Sequence, residues 1–237
     1  MQLPHFLLID LDDTILDLST SSNLAWKSIS LIFAPKLSID SEKLLLALTR
    51  SRDWYWSDTH RSQLGRKNLA NAHYQIVNNA FQDLGLYNRH ISGEIAEKYS
   101  ILREKLITPI KGAEETLQIF YNQHIKMGLI TNGSSKIQRS RINRFGLNRY
   151  FECLLIEEEF DIGKPNKLIF LEAMNLLGIS KTNDVWMIGN DYEYDIKPAQ
   201  ELGIGTVWIF NKGQISSLDK AIKPTIIVRT ISELLEI

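Results

Sequence analysis

Two aspartates separated by one residue follow an apolar run near the start of the chain. Residues 7–9 are Leu-Leu-Ile, and Asp10, Asp12 and Thr14 come directly after them at alternate positions. If the run is a strand, Asp10 and Asp12 point the same way, because side chains in a strand alternate with period two. Two carboxylates that close together repel each other unless a cation or a proton lies between them. The segment therefore predicts a metal site or a shared proton, and the alternative is a strand followed by an Asp-rich turn.

Three later segments also place polar residues at the end of a predicted strand or at the start of a predicted helix. In an open α/β sheet, the carboxyl ends of the strands are where ligands bind. The segments are Thr131-Asn132-Gly133 after the apolar run Met127–Ile130, then Gly163-Lys164-Pro165, then Asn190-Asp191 through Asp195 after the run Val185–Ile188.

Together the four segments resemble, in the same order, the four motifs of the haloacid dehalogenase-like (HAD) hydrolases, which are mostly phosphatases with an aspartate nucleophile. The resemblance covers residues from about 5 to about 210. It implies an α/β fold with a Rossmann-like parallel-sheet core. It also implies an all-helical cap domain, inserted after the first strand, that closes over the site and selects the substrate.

Asp10 is the predicted nucleophile, because a carboxylate can attack phosphorus and form an aspartyl-phosphate that divides one hard step into two. A Mg²⁺ cofactor held by hard oxygen ligands removes the repulsion between this anion and the phosphate. Asp191 is the predicted second metal ligand, and the resemblance adds the backbone carbonyl of Asp12. Taken alone, Asp191 is more typical of an Asx-turn or a helix N-cap.

Asp12 is the predicted general acid and base, which protonates the leaving oxygen and then deprotonates the attacking water. This acid argues against a dehalogenase, because a halide leaving group needs no proton. The resemblance also implies that dehalogenases of this superfamily lack an acid at this position. The alternative for Asp12 is a solvated turn aspartate.

Thr131, Asn132 and Gly133 are predicted to bind the phosphate, through backbone N–H groups and the positive end of the following helix. The alternative is an ordinary Asn-Gly turn with a serine cap. Lys164 is predicted to stabilise the anionic transition state, although a surface lysine is the commonest alternative. The resemblance implies that Asp195 supports the metal and helps to hold the lysine.

Composition is that of an ordinary globular domain. The 237 residues are 44% hydrophobic and 23% charged, and the net charge of −1 indicates no attraction to nucleic acid polymers or anionic membranes. We find no apolar run long enough to span a bilayer and no start typical of a signal peptide. The single cysteine, Cys153, cannot form an internal disulfide. The expectation is a cytoplasmic monomer or homodimer whose partner is a small phosphorylated metabolite.

Changes in hydrophobic periodicity divide the chain. Residues 1–16 and 108–237 are predicted to form the catalytic core, and residues 17–107 a helical cap. Thr20 or Ser21 is the expected cap of the first helix, and Ser41 of the second. A helix is predicted over Pro165–Leu177, with Gly178 after its end. The predicted strands are residues 6–10, Lys126–Ile130, Leu154–Ile156, Val185–Ile188, Thr206–Ile209 and Ile226–Val228.

Aromatic and basic residues cluster in the predicted cap, and the cluster is residues 52–56 with Arg61 and Arg66. It can stack a base or clamp a second anionic group, in which case Trp56 and Arg66 bind substrate. It can equally be cap core with a charged rim. The predicted function is a Mg²⁺-dependent phosphomonoester hydrolase, with a 5′-nucleotidase as the specific guess. The alternatives are a phosphoglycolate or sugar-phosphate phosphatase, a phosphomutase, and a catalytically silent binding module of the same fold.

Overall fold

The computed structural model describes residues 3–210 and 223–236. Its strands are β1 (Phe6–Ile9), β2 (Lys126–Thr131), β3 (Cys153–Ile156), β4 (Val185–Gly189), β5 (Gly205–Ile209) and β6 (Ile226–Val228). They form a parallel sheet in the order β3-β2-β1-β4-β5-β6. This is the strand order of Rossmann folds, so the predicted fold class is confirmed. Each predicted strand is present, with bounds that shift by one residue at most.

The central strand β1 lies between β2 and β4, with Ile9 opposite Leu129 on one side and Ile188 on the other. Because all three strands are parallel, the residues that follow them leave the sheet at the same edge. The strand order reverses between β1 and β4, which is where sheets of this kind bind ligands. The helices of this unit are α6 (Ala113–Asn122), α7 (Ser135–Arg144), α8 (Glu157–Phe160), α9 (Lys167–Leu176) and α10 (Lys197–Gln200).

The chain separates into two compact units, of which one runs to Asp17 and resumes at Pro109 while the other is Leu18–Thr108. The second unit is helical and has a core of its own. There the Trp26 and Tyr99 rings stack 3.5 Å apart. Its helices are α1 (Leu18–Leu37), α2 (Ser41–Ser57), α3 (Thr59–Lys67), α4 (Leu69–Asp83) and α5 (Arg89–Leu106). Within the described residues, no helix has the length and apolarity needed to cross a bilayer.

Both helix caps predicted for this unit are wrong, and the second is wrong by one residue. Helix α1 already begins at Leu18, and the Ser21 hydroxyl donates to the Leu18 carbonyl at 2.8 Å instead of capping. Helix α2 is capped by Asp40, whose carboxylate accepts two backbone N–H bonds, and Ser41 is the first helical residue. A carboxylate is as good an N-cap acceptor as a serine hydroxyl. A neighbouring pair such as Asp40-Ser41 therefore leaves the start ambiguous by one residue.

The helix that follows the lysine motif begins later than predicted. Helix α9 starts at Lys167, because the Asn166 side chain caps it by accepting from the Leu168 N–H at 3.0 Å. Pro165 therefore precedes the helix and is not part of its first turn, which corrects the prediction. At the other end, Gly178 adopts a left-handed φ of 72° just after the helix, as expected.

Candidate active site

A buried ion-pair cluster lies at the carboxyl ends of β1 and β4. Asp10 directly follows β1, and its backbone N–H donates to the Ile188 carbonyl of β4 at 2.9 Å. The Lys164 ammonium lies 2.5 Å from the Asp10 carboxylate and 2.6 Å from the Asp195 carboxylate. All three side chains are at most 9% exposed. The fold thus joins the predicted nucleophile to a lysine 154 residues away in the sequence.

The cluster contains two carboxyl groups, Asp10 and Asp195, but one ammonium group, Lys164. Burial raises the pKa of Asp10 to about 8; Lys164 opposes this shift, while Asp195 and Asp12 add to it. Burial, and then Asp195, also raise the pKa of Asp191. Burial alone would lower the pKa of Lys164, but Asp10 and Asp195 outweigh it and raise that pKa. A buried acid with a raised pKa gains if a further cation neutralises its charge.

The donor atoms around this charge suit a small hard cation. Across residues 3–210 and 223–236, no three His, Cys, Asp or Glu side chains converge as a metal-binding group. The predicted set needs fewer side chains, because it consists of the Asp10 and Asp191 carboxylates and the backbone carbonyl of Asp12. Mg²⁺ is commonly bound by one or two carboxylates plus water and substrate phosphate. These residues therefore fit Mg²⁺, while their role as ligands stays a prediction.

Asp191 caps the turn of helix that follows β4. Its Oδ1 accepts from the N–H groups of Glu193 at 2.9 Å and Tyr194 at 3.0 Å, which is the alternative that the sequence left open. The same residue's backbone N–H donates to Asp195 Oδ2 at 3.0 Å. Capping uses one oxygen of a carboxylate that has two. A cap and a metal ligand are therefore compatible at Asp191.

The side chain of Asp195 fits against the backbone only because residue 189 is glycine. A Cβ at Gly189, the last residue of β4, would lie 2.3 Å from the Asp195 carboxylate. Such a contact forces one of the two groups to move. Gly189 thus allows Asp195 to reach Lys164 across the end of the strand.

Replacing Gly189 with alanine is expected to lower the free energy of unfolding by about 1–3 kcal/mol, the usual cost of overpacking. Chemical denaturation measures this change. The matched control is Gly93→Ala in α5, where an added Cβ meets no atom within 4 Å. That variant should be stabilised by as much as about 1 kcal/mol, because alanine favours helix over glycine. A Gly189→Ala protein as stable as the wild type would contradict the close approach of Asp195.

The Lys164 backbone is held by the side chain of Asn132. Asn132 donates through Nδ2 to the Lys164 carbonyl at 2.7 Å and accepts at Oδ1 from the Lys164 N–H at 2.8 Å. Both functional ends of the amide are thus used to fix the lysine loop. This positioning contact was not part of the sequence-based prediction, which assigned Asn132 to phosphate binding.

Thr131 ends β2 and Gly133 lies between β2 and α7, which are the places predicted for them. Thr131 is the last residue of β2, is 2% exposed, and accepts from Gln138 at 2.9 Å. The Gly133 N–H donates to the Glu157 carboxylate at 2.9 Å. A carboxylate therefore occupies a backbone donor that we expected to face phosphate. Phosphate binding by Thr131, Asn132 and Gly133 stays a prediction.

Asp12 carries two partners that the sequence analysis did not anticipate. Arg141 Nη1 lies 3.2 Å from its Oδ1 and 3.1 Å from its Oδ2, and Gln138 Nε2 lies 2.9 Å from its Oδ2. Both partners are on α7, which begins at Ser135, shortly after Thr131 in the chain. The available signal was their spacing of three residues, which puts two long polar side chains on one helix face.

The predicted cap contacts belong to the helical unit. The Trp56 ring on α2 packs over Gly65 of α3 and against the buried core of that unit. Arg66 donates to the Ser62 hydroxyl at 3.2 Å. Trp54 is 44% exposed, and the Arg61 guanidinium lies 4.0 Å from its ring. Part of the aromatic cluster is therefore cap core, and substrate binding by Trp56 and Arg66 stays a prediction.

The sole cysteine has the character of an inert thiol. It begins β3, and burial raises the pKa of the Cys153 thiol to about 11. A thiol of this kind is neutral near pH 7 and is a poor nucleophile. It takes no part in the candidate site.

Comparisons with known proteins match the chain to a family of hydrolases. A sequence model of the haloacid dehalogenase-like hydrolases matches residues 7–209. The pyrimidine 5′-nucleotidase YjjG of Escherichia coli K12 is 34% identical over 142 residues, which are 60% of this chain and 62% of that protein. The glyceraldehyde 3-phosphate phosphatase of Methanocaldococcus jannaschii is 26% identical over 232 residues, 98% of this chain and 95% of that protein.

A solved structure shares the whole fold. It is that of the HAD-hydrolase YfnB from Bacillus subtilis, bound to magnesium. The two chains superpose with a TM-score of 0.76 at 22% identity, covering 99% of this chain and 98% of the other. At this identity the likeness concerns the fold, and it supports a parallel-sheet core with a helical insert.

Proposed function

The chain belongs to the haloacid dehalogenase-like hydrolases, and from this premise we propose that it hydrolyses phosphomonoesters of small metabolites, with Asp10 as the nucleophile. The observation that carries the proposal is the buried Asp10–Lys164–Asp195 cluster at the point where the strand order reverses. Relatives that are phosphatases and nucleotidases support a phosphoric monoester hydrolase.

In the first step, an Asp10 carboxylate oxygen attacks phosphorus and the bond to the ester oxygen breaks. Asp12 gives its proton to that leaving oxygen, which departs as an alcohol. Lys164 holds positive charge beside Asp10, where the transition state gathers negative charge. The product on the enzyme is an aspartyl-phosphate at Asp10.

In the second step, Asp12, now a carboxylate, takes a proton from water, and the water oxygen attacks phosphorus. The bond to Asp10 breaks, which releases inorganic phosphate and restores both side chains. Mg²⁺ held by Asp10, Asp191 and the Asp12 carbonyl would supply the charge that lets one anion approach another. The magnesium in the YfnB structure supports this choice of cofactor.

Asp12 distinguishes a phosphatase from a dehalogenase within this family. A halide leaves without a proton, whereas an alkoxide leaving group needs one. Asp12 is held by Arg141 and Gln138 and keeps 28% of its side chain exposed. A carboxyl group that is oriented yet accessible can take up a proton from solvent and pass it to a leaving oxygen.

For the substrate, we propose a nucleoside 5′-monophosphate, because two of the relatives are pyrimidine 5′-nucleotidases. A short sugar phosphate is the second candidate, since other relatives are glyceraldehyde 3-phosphate phosphatases. A phosphate-release screen over about a hundred phosphorylated metabolites tests both, because specificity resides in contacts that the fold does not dictate. Release from none of them would refute the phosphatase, and bisphosphate products without phosphate release would identify a phosphomutase.

Changes at Trp56 and Arg66 are expected to alter substrate choice more than chemistry. A remote contact that is equal in ground and transition states raises KM and leaves kcat nearly unchanged. Trp56→Ala and Arg66→Ala should each lower kcat/KM for the best substrate by roughly ten- to a hundredfold. A small aryl phosphate, which lacks a base, should lose little. Steady-state kinetics on both substrates measure the difference.

The control for this test is Tyr87→Ala, since Tyr87 is an aromatic residue of the same unit that is 90% exposed. It should leave both substrates unchanged. The ratio of the two kcat/KM values does not depend on how much protein is folded, so partial unfolding of Trp56→Ala does not disturb it. Equal losses on both substrates would show that the cluster is part of the cap core. The proposal of a nucleotide substrate would then lose this support.

A further inference from the structure

We propose that Arg141 and Gln138 are positioning residues that hold the Asp12 carboxylate in place for proton transfer, an inference that rests on the proposed phosphatase function. The guanidinium reaches both Asp12 oxygens at 3.1–3.2 Å, and the Gln138 amide reaches Oδ2 at 2.9 Å. These contacts link residues 126 and 129 positions apart in the chain.

Their burial separates this pair from an ordinary surface ion pair. Arg141 is 4% exposed and Gln138 2%. A buried guanidinium is costly unless it is paired and hydrogen-bonded, and its planar shape favours a fixed carboxylate orientation. Exposed ion pairs on the same helix have no such constraint. Arg141 is therefore placed where a change in Asp12 orientation has an energetic cost.

Gln138 connects Asp12 to the predicted phosphate-binding segment. Its Nε2 also lies 2.9 Å from Thr131 Oγ1 and 2.8 Å from the Asn132 carbonyl, and its Oε1 accepts from Arg141 at 3.2 Å. One amide thus fixes the distance between the general acid and the end of β2. A shift of about 1 Å in such a geometry can cost on the order of a hundredfold in rate.

A misplaced Asp12 affects the two steps unequally, and the leaving group reveals which step fails. An alkyl phosphate needs a proton on its leaving oxygen, so formation of the aspartyl-phosphate slows. A nitrophenolate leaves without a proton, so an aryl phosphate still phosphorylates Asp10 at nearly the normal rate. Breakdown of the aspartyl-phosphate still needs Asp12 as the base that activates water, whichever substrate formed it.

The test is rapid-mixing kinetics of Arg141→Met, which keeps an unbranched apolar side chain while removing the charge. With 4-nitrophenyl phosphate we expect a burst of one nitrophenolate per active site, followed by turnover slowed roughly ten- to a hundredfold, part of what general acid–base catalysis contributes. With an alkyl phosphate we expect the same slowing without a burst. Arg141→Lys should restore part of the rate, and Gln138→Leu should reproduce the pattern more weakly.

The matched control is Arg139→Met on the same helix, because Arg139 pairs with Glu159 at 2.7 Å and its side chain is 43% exposed. It should behave as wild type. If part of the Arg141→Met protein fails to fold, the amplitude of the burst falls, but a burst with 4-nitrophenyl phosphate and none with the alkyl phosphate is still expected. Gln138→Leu gives an independent measurement of the same difference. Equal losses on both substrates without a burst, or wild-type kinetics in both variants, would overturn the positioning role alone. A wild-type protein that hydrolyses no phosphoester refutes the proposed function itself.

Discussion

Asp10→Asn is expected to give a folded protein without measurable turnover. Asparagine has the same shape as aspartate, but its amide cannot form an acyl-phosphate and is a poor ligand for Mg²⁺. The change removes the covalent route altogether, so the loss should reach the detection limit of a phosphate-release assay. Activity within about tenfold of wild type, or roughly 1.4 kcal/mol of barrier, would show that Asp10 is not the nucleophile.

The fold should survive this substitution, because Lys164 keeps its contact with Asp195 at 2.6 Å. One of the carboxylates that crowd this buried site is also neutralised. The matched control is Asp184→Asn, the same chemical change at an exposed aspartate just before β4. Both variants should melt near the wild-type temperature, and only Asp10→Asn should be inactive. A large fall in melting temperature for Asp10→Asn would make its inactivity uninformative about chemistry, and Lys164→Met would then be needed.

The sheet and the ends of its strands follow from local signals. Short apolar runs bounded by polar residues predict buried strands, and parallel strands bring their carboxyl ends to one edge. This is why Asp10 and Asp191, which are far apart in sequence, were expected at the same place. The cluster of Asp10, Lys164 and Asp195 lies at this edge, and the Asp191 backbone N–H donates to Asp195.

Side-chain partners across the fold were not accessible in the same way. Periodicity says which face of α7 is buried, but it does not say that Arg141 and Gln138 meet Asp12. Asn132 was assigned to phosphate because its place after a strand suits an anion site, whereas its side chain holds the Lys164 backbone. Which partner a side chain contacts depends on three-dimensional distances, and no local sequence pattern encodes them.

The aromatic cluster of the cap shows the same limit. Trp54 and Trp56 are two residues apart, yet one is exposed and the other packs over Gly65. Helical geometry turns residues two apart to different faces. The sequence could identify the cluster, but only packing separates the member that supports the helical core from the member that remains available.

Activity is expected to vanish in excess chelator and to return with Mg²⁺. Without the cation, the site keeps several acids around Lys164, and burial raises the pKa of Asp10 to about 8 and raises that of Asp191. A bound cation opposes this shift and favours the ionised form of Asp10, which is the nucleophile. Because a metal that binds only the folded state stabilises it, Mg²⁺ should also raise the melting temperature.

Asp191→Asn tests whether Asp191 binds the metal that supports activity and stability. It should raise the Mg²⁺ concentration needed for half-maximal activity, and it should reduce the melting-temperature gain from Mg²⁺. Asp184→Asn should leave both values unchanged.

Ca²⁺ should bind and stabilise the fold yet inhibit turnover, because it prefers more ligands at longer distances and so disturbs in-line attack. Full activity in excess chelator would remove the metal from the mechanism, and with it the ligand role of Asp191. Among the described residues, Asp10 would then have to act with Lys164 as its neighbouring cation, and Asp12 with Arg141.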